Sequence, residues 1–231
     1  MKLKIYLSLF ALLTATGLVR ADQTKTDVTE RLESSTKVLH QLVDVPDKGI
    51  PDEVLKGAKC IAVVPNLLKG GFIIAGKHGR GVATCRLPNH TWSAPAFFVI
   101  SGGSWGAQIG VESIDLVMVI MNDEGMRHLM SDKFQVGGSV AAAAGPVGRD
   151  AAAGTSWKAD TEILTYSRSK GLFAGIDLGG SVIERDKDST IALYGRDDST
   201  RSILDGEVHA PSVADPFLAE VRHIKYVAVN K

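Results

Sequence analysis

The chain contains few cysteines, few aromatic residues and no excess of either charge. Only 2 of its 231 residues are cysteine, 6% are aromatic, and 26 basic residues balance 26 acidic ones. Two cysteines exclude a disulfide-dense miniprotein, and 45% hydrophobic residues without net charge exclude a disordered chain. The absence of a net positive charge argues against nucleic acid as a partner, because binding its phosphates requires a basic surface. The composition is that of an ordinary globular protein.

No apolar run reaches the roughly 20 residues that a membrane-spanning helix requires. The apolar run 5–13 follows Lys2 and Lys4, and Val19-Arg20-Ala21 ends in a small residue. This arrangement is typical of a cleaved secretory signal, with a membrane anchor as the alternative. We therefore expect a signal peptide at 1–21, no lipoprotein cysteine, and an exported protein that is periplasmic or secreted. Without that segment the chain has 23 basic and 26 acidic residues.

The two cysteines, Cys60 and Cys85, each lie inside an apolar, strand-like run. In an oxidising compartment they could pair, but a buried free thiol is just as ordinary in such a run. The sequence leaves both states open and slightly favours free thiols.

Hydrophobic periodicity predicts an α+β fold, with a central antiparallel β-rich sheet or meander and amphipathic helices at the N- and C-terminal ends. We expect a helical segment at 22–48 that packs on one domain over 49–231. Predicted helices cover 24–43, a short stretch from Pro51, 123–130, 189–194 and 213–224, and predicted strands cover 60–64, 71–76, 81–86, 96–101, 107–111, 114–120, 162–168 and 172–181.

One segment formally matches the nucleophile elbow of serine hydrolases, the G-x-S-x-G pattern at 102–106 with Ser104 at its centre. That motif requires a strand before the serine and a helix after it, but 107–111 again has the pattern of a strand. A Gly-rich turn between two strands is therefore the favoured interpretation. The sequence contains no zinc-ligand spacing and no nucleotide-binding loop, so neither a metal nor a cofactor is expected.

Basic residues lie beside several predicted turns, where they could meet phosphate headgroups. The segment Ser-Arg-Ser-Lys-Gly-Leu-Phe at 167–173 places two cations next to apolar residues, a combination that suits a membrane interface.

Several longer motifs occur in order along the chain: CIAVVPNLLKGGFIIAGKHGRGVATCR, WSAPAFF, GGSWGAQIG, AAAGPVGR and YSRSKGLFAG. Together they resemble the SYLF domain family over roughly residues 40–205. The resemblance implies a lipid-binding domain, whose eukaryotic members bind phosphoinositides and regulate actin. It points to cations inside or next to the motifs as headgroup contacts, and these are Arg149, Arg168, Lys170, Lys69 and Lys59.

These observations predict a non-enzymatic, exported lipid-binding protein without catalytic residues. Its expected ligands are anionic phospholipids, phosphoinositide-like headgroups or fatty acids. Actin is not expected as a partner, because an exported bacterial protein would not meet it. The alternatives are a serine hydrolase that uses Ser104 and a purely structural envelope or assembly protein, and the oligomeric state is left open.

Overall fold

The computed structural model describes residues 24–42, 49–71, 74–105, 110–148, 161–169 and 172–230. The predicted signal peptide at 1–21 lies outside these residues. The helices are α1 (24–42), α2 (Asp52–Gly57), α3 (Asp123–Leu129), α4 (Lys187–Tyr194), α5 (Thr200–Leu204) and α6 (Asp215–Val229), and a 3₁₀ turn, Ser212–Ala214, precedes α6.

Side-chain caps fix where two of the short helices begin. The Asn122 side chain accepts a hydrogen bond from the Gly125 amide at the start of α3, and Asp186 accepts one from Ser189 at the start of α4. Helix α4 ends at Gly195, whose φ of 72° lies in the left-handed region that glycine adopts without cost.

Nine strands form one mixed sheet among the described residues. They are β1 (Cys60–Gly71), β2 (Ile74–Cys85), β3 (Ala96–Trp105), β4 (Gly110–Ile120), β5 (Lys133–Gln135), β6 (Ala142–Ala144), β7 (Ile163–Ser169), β8 (Leu172–Gly175) and β9 (Val182–Arg185). The order is β5-β9-β3-β2-β1-β4-β7-β6, and β8 also pairs with β7. All neighbours are antiparallel except β6 and β7.

The sheet is strongly curled, because its two end strands are joined by a short stretch of chain. Eight strands in a flat row would span about 34 Å at about 4.8 Å per spacing. The chain from Gln135 at the end of β5 to Ala142 at the start of β6 can cover at most about 25 Å. The ends must therefore approach each other, and Phe134 of β5 shares one apolar cluster with Ile163 of β7.

Both faces of the sheet are buried. The inner face of the curl is filled by strand residues such as Leu67, Ile100 and Leu116, with Leu129 and Leu204 from α3 and α5. The outer face is covered by α1, α2 and α6, whose buried residues form a second cluster with alternate residues of the same strands. Its members include Val28, Leu32, Leu39, Val54, Phe217 and Val221 against Ile61, Val63, Val117 and Tyr166.

A disulfide joins Cys60 and Cys85, which are direct cross-strand partners in β1 and β2 with Cα atoms 4.0 Å apart. The slight preference for free thiols is therefore wrong. The register between β1 and β2 brings the two side chains together, and composition could not supply that register.

The α+β class with helices at both ends is confirmed. The predicted strand at 60–64 is the first part of the longer β1, and the predicted strand at 172–181 is shorter and ends at Gly175. The prediction of one strand at 71–76 is wrong, because Gly71 ends β1 and Ile74 begins β2, which continues to Cys85. The sequence analysis missed β5, β6, β9 and α5, because each is only three to five residues long and carries no clear periodicity.

Candidate lipid-contact surface at the hairpin end

One end of the curled sheet collects three strand reversals. Strand β1 turns into β2, β3 leads to β4, and β7 turns into β8 at this end, which we call the hairpin end. The strand register shows that these reversals lie at the same end, because Gly71 of β1 pairs with Ala75 of β2 on one side and with Gly110 of β4 on the other. The opposite end carries the start of β1, the disulfide and α2.

Large apolar side chains are exposed at the hairpin end. Leu68 is 50% exposed, Val111 80% and Leu172 63%. Leu68 pairs with Ser113, and Gly70 pairs with Val111, so Leu68 and Val111 lie on the same face of the sheet, the outer one. Leu172 lies on the inner face, because its neighbour Phe173 packs in the cluster on the outer face. Exposed apolar residues gathered at one end of a sheet indicate a surface that contacts a partner or a membrane.

Two lysines lie directly opposite each other at the same end. Lys69 of β1 is the cross-strand partner of Lys77 of β2. Burial lowers the pKa of Lys77, and the positive charge of Lys69 lowers it further. The Lys77 Nζ donates to the backbone carbonyl of Asp177 at 3.4 Å. Like charges in directly opposed positions destabilise a strand pair, and Glu112 of β4 is the carboxylate directly opposite Lys69 on its other side. An anion beside the two ammonium groups would offset the rest of their repulsion.

The structure describes three of the five cations that the sequence singled out, and it places them at different parts of the sheet. Lys69 lies at the hairpin end, but Lys59 lies at the opposite end and forms an ion pair with Asp123. Arg168 is paired with Asp115 at 3.4 Å and its side chain is only 20% exposed, so it is only partly accessible to a headgroup. Arg149 and Lys170 lie outside the described residues.

The sequence analysis did not select Lys77 as a site residue. Its position depends on the register of the β1–β2 hairpin, and the sequence analysis predicted one strand at 71–76 where the chain passes from β1 to β2, so no local pattern indicated this pairing.

A cleft of about 320 Å³ lies between α1 and the part of β1 and β2 nearest the hairpin end. Its walls carry opposite charges, with acidic residues on α1 and basic residues on β2. The lining includes Asp27, Glu30, Ser34, Leu68, His78 and Arg80.

A buried ion pair between Arg31, which lines the cleft, and Asp186 lies next to this cleft. The Arg31 Nη1 donates to the Asp186 Oδ2 at 3.1 Å, Nη2 donates to the Ser189 hydroxyl at 3.1 Å, and the guanidinium lies 5.3 Å from the Phe97 ring centre. Burial lowers the pKa of Arg31, and Asp186 partly offsets this effect. Burial alone would raise the pKa of Asp186, but hydrogen bonds from Ser189 and the two nearby arginines lower it. The carboxylate thus stays charged and fixes both α1 and α4.

Ser104 does not lie at a strand-to-helix turn. It belongs to β3 and pairs with Ala75, and the next described element is strand β4. The backbone geometry of a nucleophile elbow is therefore missing. Among the described residues, no three His, Cys, Asp or Glu side chains group as a metal site would require, and none of the described helices combines the length and apolarity needed to span a bilayer.

Comparison with known proteins gives one consistent result. The Ysc84 family model, described as "Las17-binding protein actin regulator", matches residues 101–224. Protein YSC84 of Saccharomyces cerevisiae is 39% identical over 175 residues, which cover 74% of this chain and 37% of the yeast protein. SH3 domain-containing YSC84-like protein 1 of Mus musculus is 33% identical over 189 residues, which cover 79% of this chain and 55% of the mouse protein. The chain thus spans between about a third and about half the length of these relatives.

Proposed function

Because the chain belongs to the Ysc84 family, which contains the SYLF domain, we propose that it is a non-enzymatic, exported lipid-binding protein that contacts anionic membranes through its hairpin end. The observation that carries this proposal is that Lys69, Lys77 and Leu172 on the inner face and Leu68 and Val111 on the outer face all lie at the same end of the sheet. The curled sheet holds these groups at one end of the molecule.

The apolar side chains and the lysines would contribute to membrane binding in different ways. Apolar side chains that enter the boundary between headgroups and acyl chains gain roughly 25 cal/mol for each Å² removed from water. Each lysine near an anionic leaflet adds about 1 kcal/mol. Neither contribution alone gives firm attachment, so the proposal requires both kinds of residue at the same end.

Export is part of this proposal. The basic and apolar pattern at 1–21 supports a cleaved signal, and the Cys60–Cys85 disulfide supports an oxidising compartment. Intact-mass measurement of protein recovered from the bacterial envelope or medium tests it. A chain beginning at Asp22 supports export, and a chain that retains the first 21 residues contradicts it.

Vesicle co-sedimentation tests membrane contact. We expect the purified protein to sediment with phosphatidylglycerol-containing vesicles more than with pure phosphatidylcholine vesicles, and to dissociate as salt is raised. The double variant K69Q/K77Q should bind anionic vesicles about tenfold more weakly. The matched control is K56Q/K187Q, which removes the same charge from exposed lysines at the opposite end of the sheet.

A second pair of variants tests the apolar contribution. Val111→Asn removes an exposed apolar side chain at the hairpin end, and Val229→Asn does the same on α6. Weaker binding by the first variant alone supports the proposal. If all variants bind like the unmodified protein, or if the unmodified protein ignores anionic vesicles, the hairpin end is not a membrane contact.

The family description favours contact with another protein as a second candidate function. Relatives are named for binding Las17, so a protein partner at the same exposed surface is the alternative that a negative vesicle result would favour. Co-purification with chemical crosslinking, compared between the unmodified protein and Val111→Asn, distinguishes that role. Loss of a specific crosslinked partner in the variant would support it.

A further inference from the structure

The cleft between α1 and β2 carries separated charges of opposite sign. Asp27 and Glu30 are three residues apart on α1, so both carboxylates lie on the same side of that helix. His78 and Arg80 are two residues apart on β2 and lie on the same face of the strand. The α1 wall also carries Arg31, but its charge is compensated in the buried ion pair, so Asp27 and Glu30 make this wall acidic while the facing wall is basic.

Arg80 is held near two carboxylates but forms no hydrogen bond to either. Its Nη1 is 3.8 Å from the Asp27 Oδ2, and its Nε is 3.6 Å from the Asp186 Oδ2, both beyond hydrogen-bonding distance. Its side chain is 43% exposed. Buried Asp186 attracts the guanidinium by charge, and Arg80 lines the cleft with no hydrogen bond to either carboxylate. A guanidinium with free donors at a fixed position is suited to bind a phosphate.

The acidic wall offers carboxylate oxygens that can accept hydrogen bonds from a cationic group of the ligand. Glu30 is exposed and has no ion pair among the described residues, and Asp27 has only the long contact with Arg80. A purely anionic ligand would be repelled by these two carboxylates, and a purely cationic ligand would be repelled by Arg80. The ligand that satisfies both walls carries a phosphate and an ammonium group a few bonds apart.

We propose that this cleft binds a phosphoethanolamine group, with its phosphate on Arg80 and its ammonium on Asp27 and Glu30. The group could belong to a phospholipid headgroup or to a soluble ester. Leu68 lines the cleft and is also one of the exposed residues of the hairpin end, so the cleft opens next to the proposed membrane contact. The idea that the bound group belongs to a phospholipid therefore rests on the proposed function, whereas binding of the soluble ester does not.

Titration of the isotope-labelled protein, followed by amide NMR shifts, tests the site. The probes are glycerophosphoethanolamine, ethanolamine and inorganic phosphate. We expect glycerophosphoethanolamine to shift amides within 27–34 and 78–80, and to bind at least tenfold more tightly than either half of the molecule. Arg80→Gln and Glu30→Gln should each weaken binding about tenfold, as expected for the loss of one charge-assisted contact.

Two exposed charged residues outside the cleft provide matched controls. Glu33→Gln removes an exposed carboxylate one turn along α1, and Arg222→Gln removes an exposed arginine of α6. Both should bind the ester like the unmodified protein. Because Glu30 is exposed and outside the buried Arg31–Asp186 pair, Glu30→Gln remains informative if Arg80→Gln destabilises the fold.

The outcomes separate this site from the hairpin end. K69Q/K77Q should keep its affinity for the soluble ester even where vesicle binding is lost. Vesicles that contain phosphatidylethanolamine should bind better than pure phosphatidylcholine if the source is a lipid, and equal binding with intact affinity for the ester identifies a soluble ligand. The proposal is overturned if phosphate alone binds as tightly as the ester, if neither variant changes affinity, or if the ester does not bind.

Discussion

Cys60 and Cys85 are joined directly across β1 and β2, where the first residue of one strand meets the last residue of the other. The bond closes a loop with a sequence separation of 25 residues and lies wholly inside the protein. It therefore ties together the end of the sheet farthest from the hairpin end.

Replacing both cysteines with alanine should lower the free energy of unfolding by about 3 kcal/mol, mainly because the unfolded chain regains the freedom that the crosslink removes. Urea denaturation of both proteins, with and without reductant, measures the effect. Reductant should destabilise the unmodified protein and leave the double variant unchanged. Equal urea midpoints for the two proteins without reductant would contradict a stabilising disulfide.

Gly145 permits close packing against Tyr166. A Cβ atom at position 145 would overlap the Tyr166 ring, which is fully buried. Gly145→Ala should therefore destabilise the protein by about 2 kcal/mol through overpacking. Gly138→Ala is the control, because its new methyl group would make only ordinary contacts at 3.7 Å. Thermal unfolding compares the two, and similar melting temperatures would show that the ring moves aside at little cost.

Lys225 of α6 caps the C-terminal end of α2, where its Nζ donates to the carbonyls of Leu55 and Lys56. Burial lowers its pKa to about 8, and Arg86 contributes to the same shift. Between pH 8 and the ordinary lysine pKa of 10.5, the unfolded chain binds more protons than the folded one, so this residue makes stability rise with pH.

Comparison with Lys225→Met isolates that contribution. The unmodified protein should gain stability relative to this variant as the pH rises from 7 to 10. Denaturant unfolding at several pH values measures the difference, and Lys37→Met, which removes an exposed lysine of α1, serves as control. A difference that does not change with pH would show that Lys225 titrates normally.

The Arg31–Asp186 ion pair should show strong coupling in a double-mutant cycle. Arg31→Met or Asp186→Asn alone leaves a partner buried without its counter-charge and should cost about 3–5 kcal/mol. The double variant should cost clearly less than the sum of the two. Additive losses measured by urea denaturation would mean that the two charges stabilise the fold independently.

The family resemblance and the α+β class could both be predicted from the sequence, because each depends on local patterns. The helix over 24–42 follows from apolar residues at helical spacing, and the start of α3 follows from Asn122 as a cap. The motif AAAGPVGR carries part of the resemblance, but only the structure shows that its Gly145 packs closely against Tyr166. The roles of Arg149 and Lys170 stay predictions.

The sequence by itself determined the α+β class, most of the longer helices and strands, and the family resemblance. Only the tertiary structure decided that Lys69 faces Lys77, that Lys59 lies far from both, and that Arg80 faces the acidic side of α1. Periodicity records which side of an element is apolar, whereas these pairings depend on strand register and on the curl of the sheet. Register and curl arise from contacts between residues that are distant in sequence, so no local pattern specifies them.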